Sequence, residues 1–306
     1  MDKRALITGG SGFIGTQLAA ALNQNGWQIT ILSRNPQAAR NRQQSDYLYA
    51  ASFNELNEAE PFDLIINLAG ASVGEGRWTP KRKQELLSSR INTTTALADW
   101  LHQRSWKPKL VISGSAVGYY GNSDGGKADA ANERSAPQER FVSELCQQWE
   151  AAATPIAEHS NIPLAIVRLG VVFGKNGGIL PQILMPIKFN LVGKIGSGKQ
   201  PLVWVHMADV IGVMLWLAEH PQPGKHVYNL VAPELSSQAE FVAAAAKSLH
   251  RSPFLSLPAA VMRMMMGEQA DLVLGGRFVS SKALQEAGYT FQFPNLESAL
   301  KNLLPL

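Results

Sequence analysis

Two hydrophobic periods alternate along this chain. Residues 5–8 form an apolar run bounded by glycine, which reads as a buried strand. Leu18, Ala19 and Leu22 then open the apolar face of a helix that reaches about residue 25. Further short runs predict strands at 28–32, 47–49, 63–70, at the start of 108–121, and at 162–170. Longer stretches with helical spacing predict helices over 81–103 and 138–158. Strands alternating with helices in this way predict an α/β fold, a doubly wound parallel sheet of the Rossmann type. The pattern loosens after 171–174, and prolines and glycines break it through 177–200. It resumes with a strand at 201–206, a helix to about 220 and a strand ending near 231. Helices predicted over 236–250, 258–267, 280–288 and 295–304 make a smaller α-rich lobe. The expected division is therefore 1–231 and 232–306, with loops 71–80 and 177–200 shaping a substrate pocket.

The first strand, turn and helix carry the clearest chemistry. Gly9, Gly12 and Gly15 recur at steps of three between strand and helix, and Phe13 and Ile14 begin the helix. Glycines let the backbone approach a pyrophosphate, and the first helical N–H groups point at its charge. A tight structural turn also wants glycine, so the placement carries the reading. The second strand ends Ser33-Arg34-Asn35-Pro36, and the first acidic residue afterwards is Asp46. An Asp or Glu there would hold the ribose of NAD, whereas Arg34, helped by Ser33, suits the 2′-phosphate of NADP. Arg40 or Arg42 is able to share that role, and a solvated loop arginine is the plain alternative.

Other strand ends add candidates. Asn67, Leu68, Ala69 and Gly70 close the fourth strand with the small residues expected where a sheet meets a cofactor. Ser115 stands where the fifth strand gives out, with Tyr119 and Tyr120 just beyond. Arg168 ends the sixth, able to reach a phosphate or to pair with a carboxylate, and Val171 follows it. Arg77 and Trp78 share one glycine-rich loop, which either grips a substrate or is anchored by its tryptophan. Lys194 and Lys199 lie on a second such loop; His206 and Asp209 open a helix, where capping is the commoner role.

Composition narrows the partners more than the fold. The 306 residues are 45% hydrophobic and 17% charged with a net charge of +4, ordinary for a globular enzyme. No basic block beyond Lys81-Arg82-Lys83 argues for nucleic acid, and no apolar run is long enough to span a bilayer. One cysteine, Cys146, excludes an internal disulfide, and no metal-ligand spacing is present. With a strand starting so near Met1, no leader is expected and the cytoplasm is the expected compartment.

Residues 8–15 (Thr-Gly-Gly-Ser-Gly-Phe-Ile-Gly), 67–70, 115–121, Arg168-Leu-Gly-Val-Val172 and His206-Met-Ala-Asp209 together resemble the extended short-chain dehydrogenase/reductase superfamily. The resemblance is closest to its bacterial epimerase-like branch, with Arg77-Trp78, 196–200 and the C-terminal unit included. It implies hydride chemistry on a nicotinamide cofactor and a homodimer through helices like 81–103 and 138–158, while Arg77, Trp78, Lys199 and His206 are the candidate contacts for a nucleotide sugar or similar small-molecule substrate. It also implies a serine with a Tyr-x-x-x-Lys pair, the lysine lowering the tyrosine pKa. Ser115 matches the serine, but none of the six tyrosines has a lysine four positions on. Two readings follow: an NADP-dependent epimerase or oxidoreductase using Ser115 with Tyr119 or Tyr120, and a non-catalytic NADP-binding redox sensor.

Overall fold

The computed structural model describes residues 3–43, 46–57, 59–175 and 177–304. Residues 1, 2, 305 and 306, the outer ends of the two predicted units, lie outside it. Strands β1 (Lys3–Thr8), β2 (Trp27–Leu32) and β3 (Leu48–Ala50) alternate with helices α1 (Phe13–Gln24) and α2 (Pro36–Gln43). The chain then crosses back through β4 (Leu64–Asn67), α3 (Pro80–His102), β5 (Leu110–Ala116), α4 (Phe141–Glu158) and β6 (Leu164–Leu169). A seventh strand reaches the sheet later, giving the spatial order β3-β2-β1-β4-β5-β6 and then that last strand, all parallel. The order reverses between β1 and β4, and a doubly wound sheet opens a crevice at the carboxyl ends of its strands at that point. The central strands are apolar throughout because helices cover both faces: Leu6, Ile7, Ile65, Ile66, Val111 and Ile112 are fully buried.

Beyond the sheet come β7 (Val171–Phe173), α5 (Leu180–Lys188), β8 (Val192–Ile195), β9 (Trp204–His206), α6 (Met207–Glu219) and the sheet strand β10 (Lys225–Leu230). The chain finishes with α7 (Gln238–Leu249), β11 (Leu255–Leu257), α8 (Ala259–Met266), α9 (Asp271–Leu274), α10 (Lys282–Glu286) and α11 (Leu296–Leu303). β7 pairs with β9 and β8 with β11 as two small parallel ladders. One helix forms where prolines argued against it. α5 lies in a stretch broken by Pro181 and Pro186, yet it buries Leu180, Leu184 and Ile187 along one side. Packing of that face outweighs the local penalty of a proline within the helix.

The tail packs against the sheet domain. Leu284, Tyr289 and Phe291 pack into the same cluster as Val210, Val213 and Met214 of α6, and as β1 and β2. Leu296, Leu300 and Leu303 share a second cluster with Phe173, Leu184 and Trp204. Asp209, wholly buried, accepts from the backbone N–H of Gln292 (2.7 Å) and Phe293 (3.0 Å) and from the Tyr289 hydroxyl (3.2 Å). Hydrogen bonds of this kind are what make a buried carboxylate tolerable. Among the described residues no helix is long and apolar enough to cross a membrane.

Candidate functional site

β1 runs directly into the glycine turn, and each glycine there solves a different steric problem. Gly9 has φ +70°, and a Cβ on it would sit 2.5 Å from the Leu68 carbonyl oxygen, so only glycine lets the end of β4 close on the turn. At Gly15 a Cβ would land on the Gly9 carbonyl, which fixes the helix against the turn. Gly12 is exposed, and a Cβ there meets nothing but Gly9 O, at 3.2 Å. It caps α1 without a side-chain hydrogen bond, and the first turn, with Phe13 and Ile14, holds no acid. The result is an open, uncapped helix start suited to a phosphate. The Phe13 ring lies under the 174–178 loop, where Cβ atoms on Gly177 and Gly178 would come within 2.8 Å of it.

A basic rim borders this turn. Gln43 donates to Gly10 O (2.7 Å) and accepts from the Tyr49 hydroxyl, while Arg42 approaches Ser11 O at 3.5 Å. Ser33 turns the chain into α2 beside Asn35, and Arg34 next to it is exposed. No carboxylate occurs from residue 33 through 43.

At the next strand end the polar groups face inward. Thr8 Oγ1 donates to Asn67 Oδ1 (2.6 Å), Asn67 Nδ2 donates to Thr94 Oγ1 (2.8 Å), and Trp149 Nε1 reaches the same hydroxyl (3.1 Å). Asn67 is fully buried in this network, and it offers a ligand its backbone surroundings rather than its side chain. Leu68 donates its N–H to Thr8 O and Ala69 to Thr8 Oγ1. Gly70 is exposed, with the Arg90 guanidinium beneath it: a Cβ there would lie 2.9 Å from Arg90 Cζ. Arg90 is buried over Trp149 and donates to Leu86 O and Ala71 O.

β5 and β6 end in a denser network. Ser115 Oγ donates to Glu150 Oε1 at 2.6 Å. Arg168 grips the same carboxylate with two hydrogen bonds of 2.8 Å, from Nε and Nη2. Its Nη1 donates to the Tyr120 hydroxyl (2.8 Å), which donates onward to Asn229 Oδ1 (2.6 Å). Burial acts against the Arg168 charge, yet the Glu150 carboxylate outweighs it and holds the guanidinium above its ordinary value. Burial pushes the Tyr120 phenol up to about 12 against the pull of Arg168. Tyr120 is therefore an interior strut, with both hydroxyl bonds inside the protein, whereas Tyr119 is partly exposed and lies with its ring 3.5 Å from Arg168 Cζ. Of the two roles open to Arg168, the structure shows the carboxylate pair.

The loop residues separate. Trp78 is buried, donates to Val73 O (3.0 Å) and packs edge-on against Phe141, so it anchors its loop. Arg77 is exposed and donates to Met265 O (3.0 Å). Lys83–Glu268, Arg140–Asp271 and Gln269–Val73 complete a strap in which residues 265–271 bind the segments following β4 and β5. Lys199 is exposed on the 196–200 turn, and Val171 donates its N–H to Val203 O. His206 is buried: Nδ1 accepts from Ala208 N to cap α6, the ring stacks 3.8 Å from Phe293, and burial holds its pKa below the ordinary value. No cluster of metal-ligating side chains occurs among the described residues.

Residues 5–230 match the NAD dependent epimerase/dehydratase family, and 257–303 match a domain of unknown function, DUF1731. The chain belongs to the NAD dependent epimerase/dehydratase family. An epimerase family protein of Staphylococcus saprophyticus is 35% identical over 302 residues, 99% of each chain. The crystal structure of human epimerase family protein SDR39U1 with NADPH superposes with a TM-score of 0.85 at 33% identity, over 98% of each chain. A Bacillus cereus UDP-glucuronic acid 4-epimerase, in complex with UDP-glucuronic acid and NAD, shares the fold at a TM-score of 0.76 and 18% identity, covering 98% of this chain and 97% of the other.

Within this epimerase/dehydratase-family chain the sequence reading overlooked Glu150, the group that joins Ser115 to Arg168. Its signal was available: an acid on the face of α4 that buries Leu145, Cys146, Trp149 and Ala153. A Cβ on Gly118, just past Ser115, would land on Val142 and come within 3.9 Å of Cys146 Sγ, so the four-residue step facing β5 is Val142 and Cys146.

Proposed function

We propose that this chain is an NADP-dependent oxidoreductase or epimerase acting on a hydroxyl or carbonyl group of a nucleotide sugar or a similar anionic small molecule. The observation that carries the cofactor is the uncapped, acid-free helix start at Gly12, with Arg34 exposed two residues past the end of the paired strand β2 and no carboxylate from 33 to 43. The cradle fits a dinucleotide: Gly9 and Gly15 hold the turn closed against β4 and α1, Gly12 leaves the space a pyrophosphate needs, and Arg34, with Arg42 near the turn, suits a 2′-phosphate. The SDR39U1 structure contains NADPH, whereas the Bacillus cereus enzyme holds NAD, and Arg34 supports the first of these for this chain.

When bound, such a cofactor supplies hydride acceptance and return. The chain's own part is proton handling and positioning. Ser115 Oγ donates to the Glu150 carboxylate that Arg168 also grips, which leaves the serine oxygen its lone pairs for accepting. It therefore accepts from a substrate hydroxyl. If a bound cofactor took hydride from the substrate's carbinol carbon, the hydroxyl proton would pass to Ser115 Oγ as the Ser115 proton passed to Glu150 Oε1, and return of the hydride would reverse both transfers. Ser115 is 1% exposed, so the surrounding chain has to move for a substrate to reach it. Tyr119 borders this route over Arg168.

The test is a titration of purified protein with NADPH and NADH, followed by a panel of nucleotide sugars with product analysis. Arg34→Ala weakens NADPH much more than NADH, and equal loss for both refutes the 2′-phosphate assignment. Ser115→Ala removes turnover with little change in cofactor affinity. Val142 and Cys146 favour a second reading, a redox sensor that binds NADP without chemistry. Tight NADPH binding with no altered product across the panel selects it.

A further inference from the structure

We propose that the outer face of α5, β8 and β11 docks this protein on an anionic lipid bilayer. Five of the large hydrophobic side chains left exposed lie along one band: Met185, Phe189, Leu191, Phe254 and Leu255, with Phe189 70% and Phe254 77% exposed. They are neighbours by construction. Phe189 donates its N–H to Met185 O one helical turn back, and Leu255 donates to Leu191 O where β11 pairs with β8. α5 is apolar inside through Leu180, Leu184 and Ile187, so Met185 and Phe189 add a second apolar surface that the core does not use. Contiguous exposed apolar side chains of this size mark an interaction site.

Charge selects the partner. No acidic residue occurs between Glu158 and Asp209 or between Glu240 and Glu268, the two segments that build this face. Those segments hold eight lysines and arginines, and Lys188, Lys194, Lys247 and Arg251 are exposed on or beside the band. None of these four forms an ion pair among the described residues. Two copies meeting through the face would bring cation against cation with nothing to neutralise them. Aromatic and aliphatic side chains ringed by free lysine and arginine are the combination that inserts at an interface and holds anionic headgroups. The protein would lie on the bilayer, since no described helix is able to cross it.

Cosedimentation of the full chain with phosphatidylcholine vesicles, with and without phosphatidylglycerol, tests this. Binding is expected only with phosphatidylglycerol, falling as salt rises. The pairs Phe189→Ser/Phe254→Ser and Lys188→Glu/Arg251→Glu each weaken it about tenfold or more. Leu48→Ser, at an exposed leucine of β3, leaves it unchanged. All positions are on the surface, so a thermal melt verifies folding, and NADPH affinity measured in parallel keeps the result separate from the cofactor assignment. Absence of vesicle binding, or binding that both pairs leave intact, overturns the proposal. Self-association in the ultracentrifuge that Phe254→Ser abolishes would give the face to a second copy and overturn it as well.

Discussion

Cys146 sits where the face of α4 meets β5, with no exposed surface, and burial pushes its thiol up to about 12. A thiol held this way is a packing group, since the thiolate is the reactive form. The folded protein is expected to resist an aromatic disulfide reagent at pH 8 and to react once unfolded; rapid reaction of the native protein would contradict this burial. The raised pKa also fixes a pH dependence. Because the folded state favours the protonated thiol, its contribution to stability is whole below about pH 9 and is lost as pH rises toward 12. Urea midpoints across that window should fall, by up to about 1.4 kcal/mol per pH unit from this group, and Cys146→Ala should flatten the slope. At this scale the sequence was legible where placement is local, as with Arg34, exposed just past the end of β2. It was not legible where a role depends on a partner far away in the chain. Arg168 stood open between phosphate and carboxylate until Glu150, 18 positions earlier, was placed beside it.

The glycine turn divides its duties among positions that look alike in sequence. Gly15→Ala places a methyl group on the Gly9 carbonyl and 2.6 Å from Gly10 Cα, which should destabilise the protein by roughly 1–3 kcal/mol. Gly12→Val has open space before it, so the protein should melt like the parent while losing NADPH. A thermal melt paired with an NADPH titration separates the two, and retained binding by Gly12→Val would remove the turn from the cofactor site. The sheet strands and long helices were readable because their periods are local and strong: α3 and α4 lie within three residues of expectation at every end. α5, β8 and β11 were not. The first hides behind two prolines, and the ladder of the other two joins residues some 60 positions apart, which no local pattern records.

For the molecule as a whole, residues on both sides of the expected boundary after 231 share two apolar clusters. Cutting there would strip Leu284, Tyr289 and Phe291 from the main cluster and α11 from the second. Each such buried side chain contributes about 1.5–3 kcal/mol. A fragment spanning 3–231 is therefore expected to show no cooperative urea transition by circular dichroism, and a sharp transition would restore the two-unit division. The Asp209 clamp carries this dependence into protein synthesis. α6 and its carboxylate leave the ribosome more than 80 residues before the backbone donors at Gln292 and Phe293 exist. Until those residues emerge, the nascent chain either keeps Asp209 in water, with α6 undocked, or buries an unanswered charge. A message that stops before codon 292 would thus yield a chain that exposes its own incompleteness to the cell's proteases.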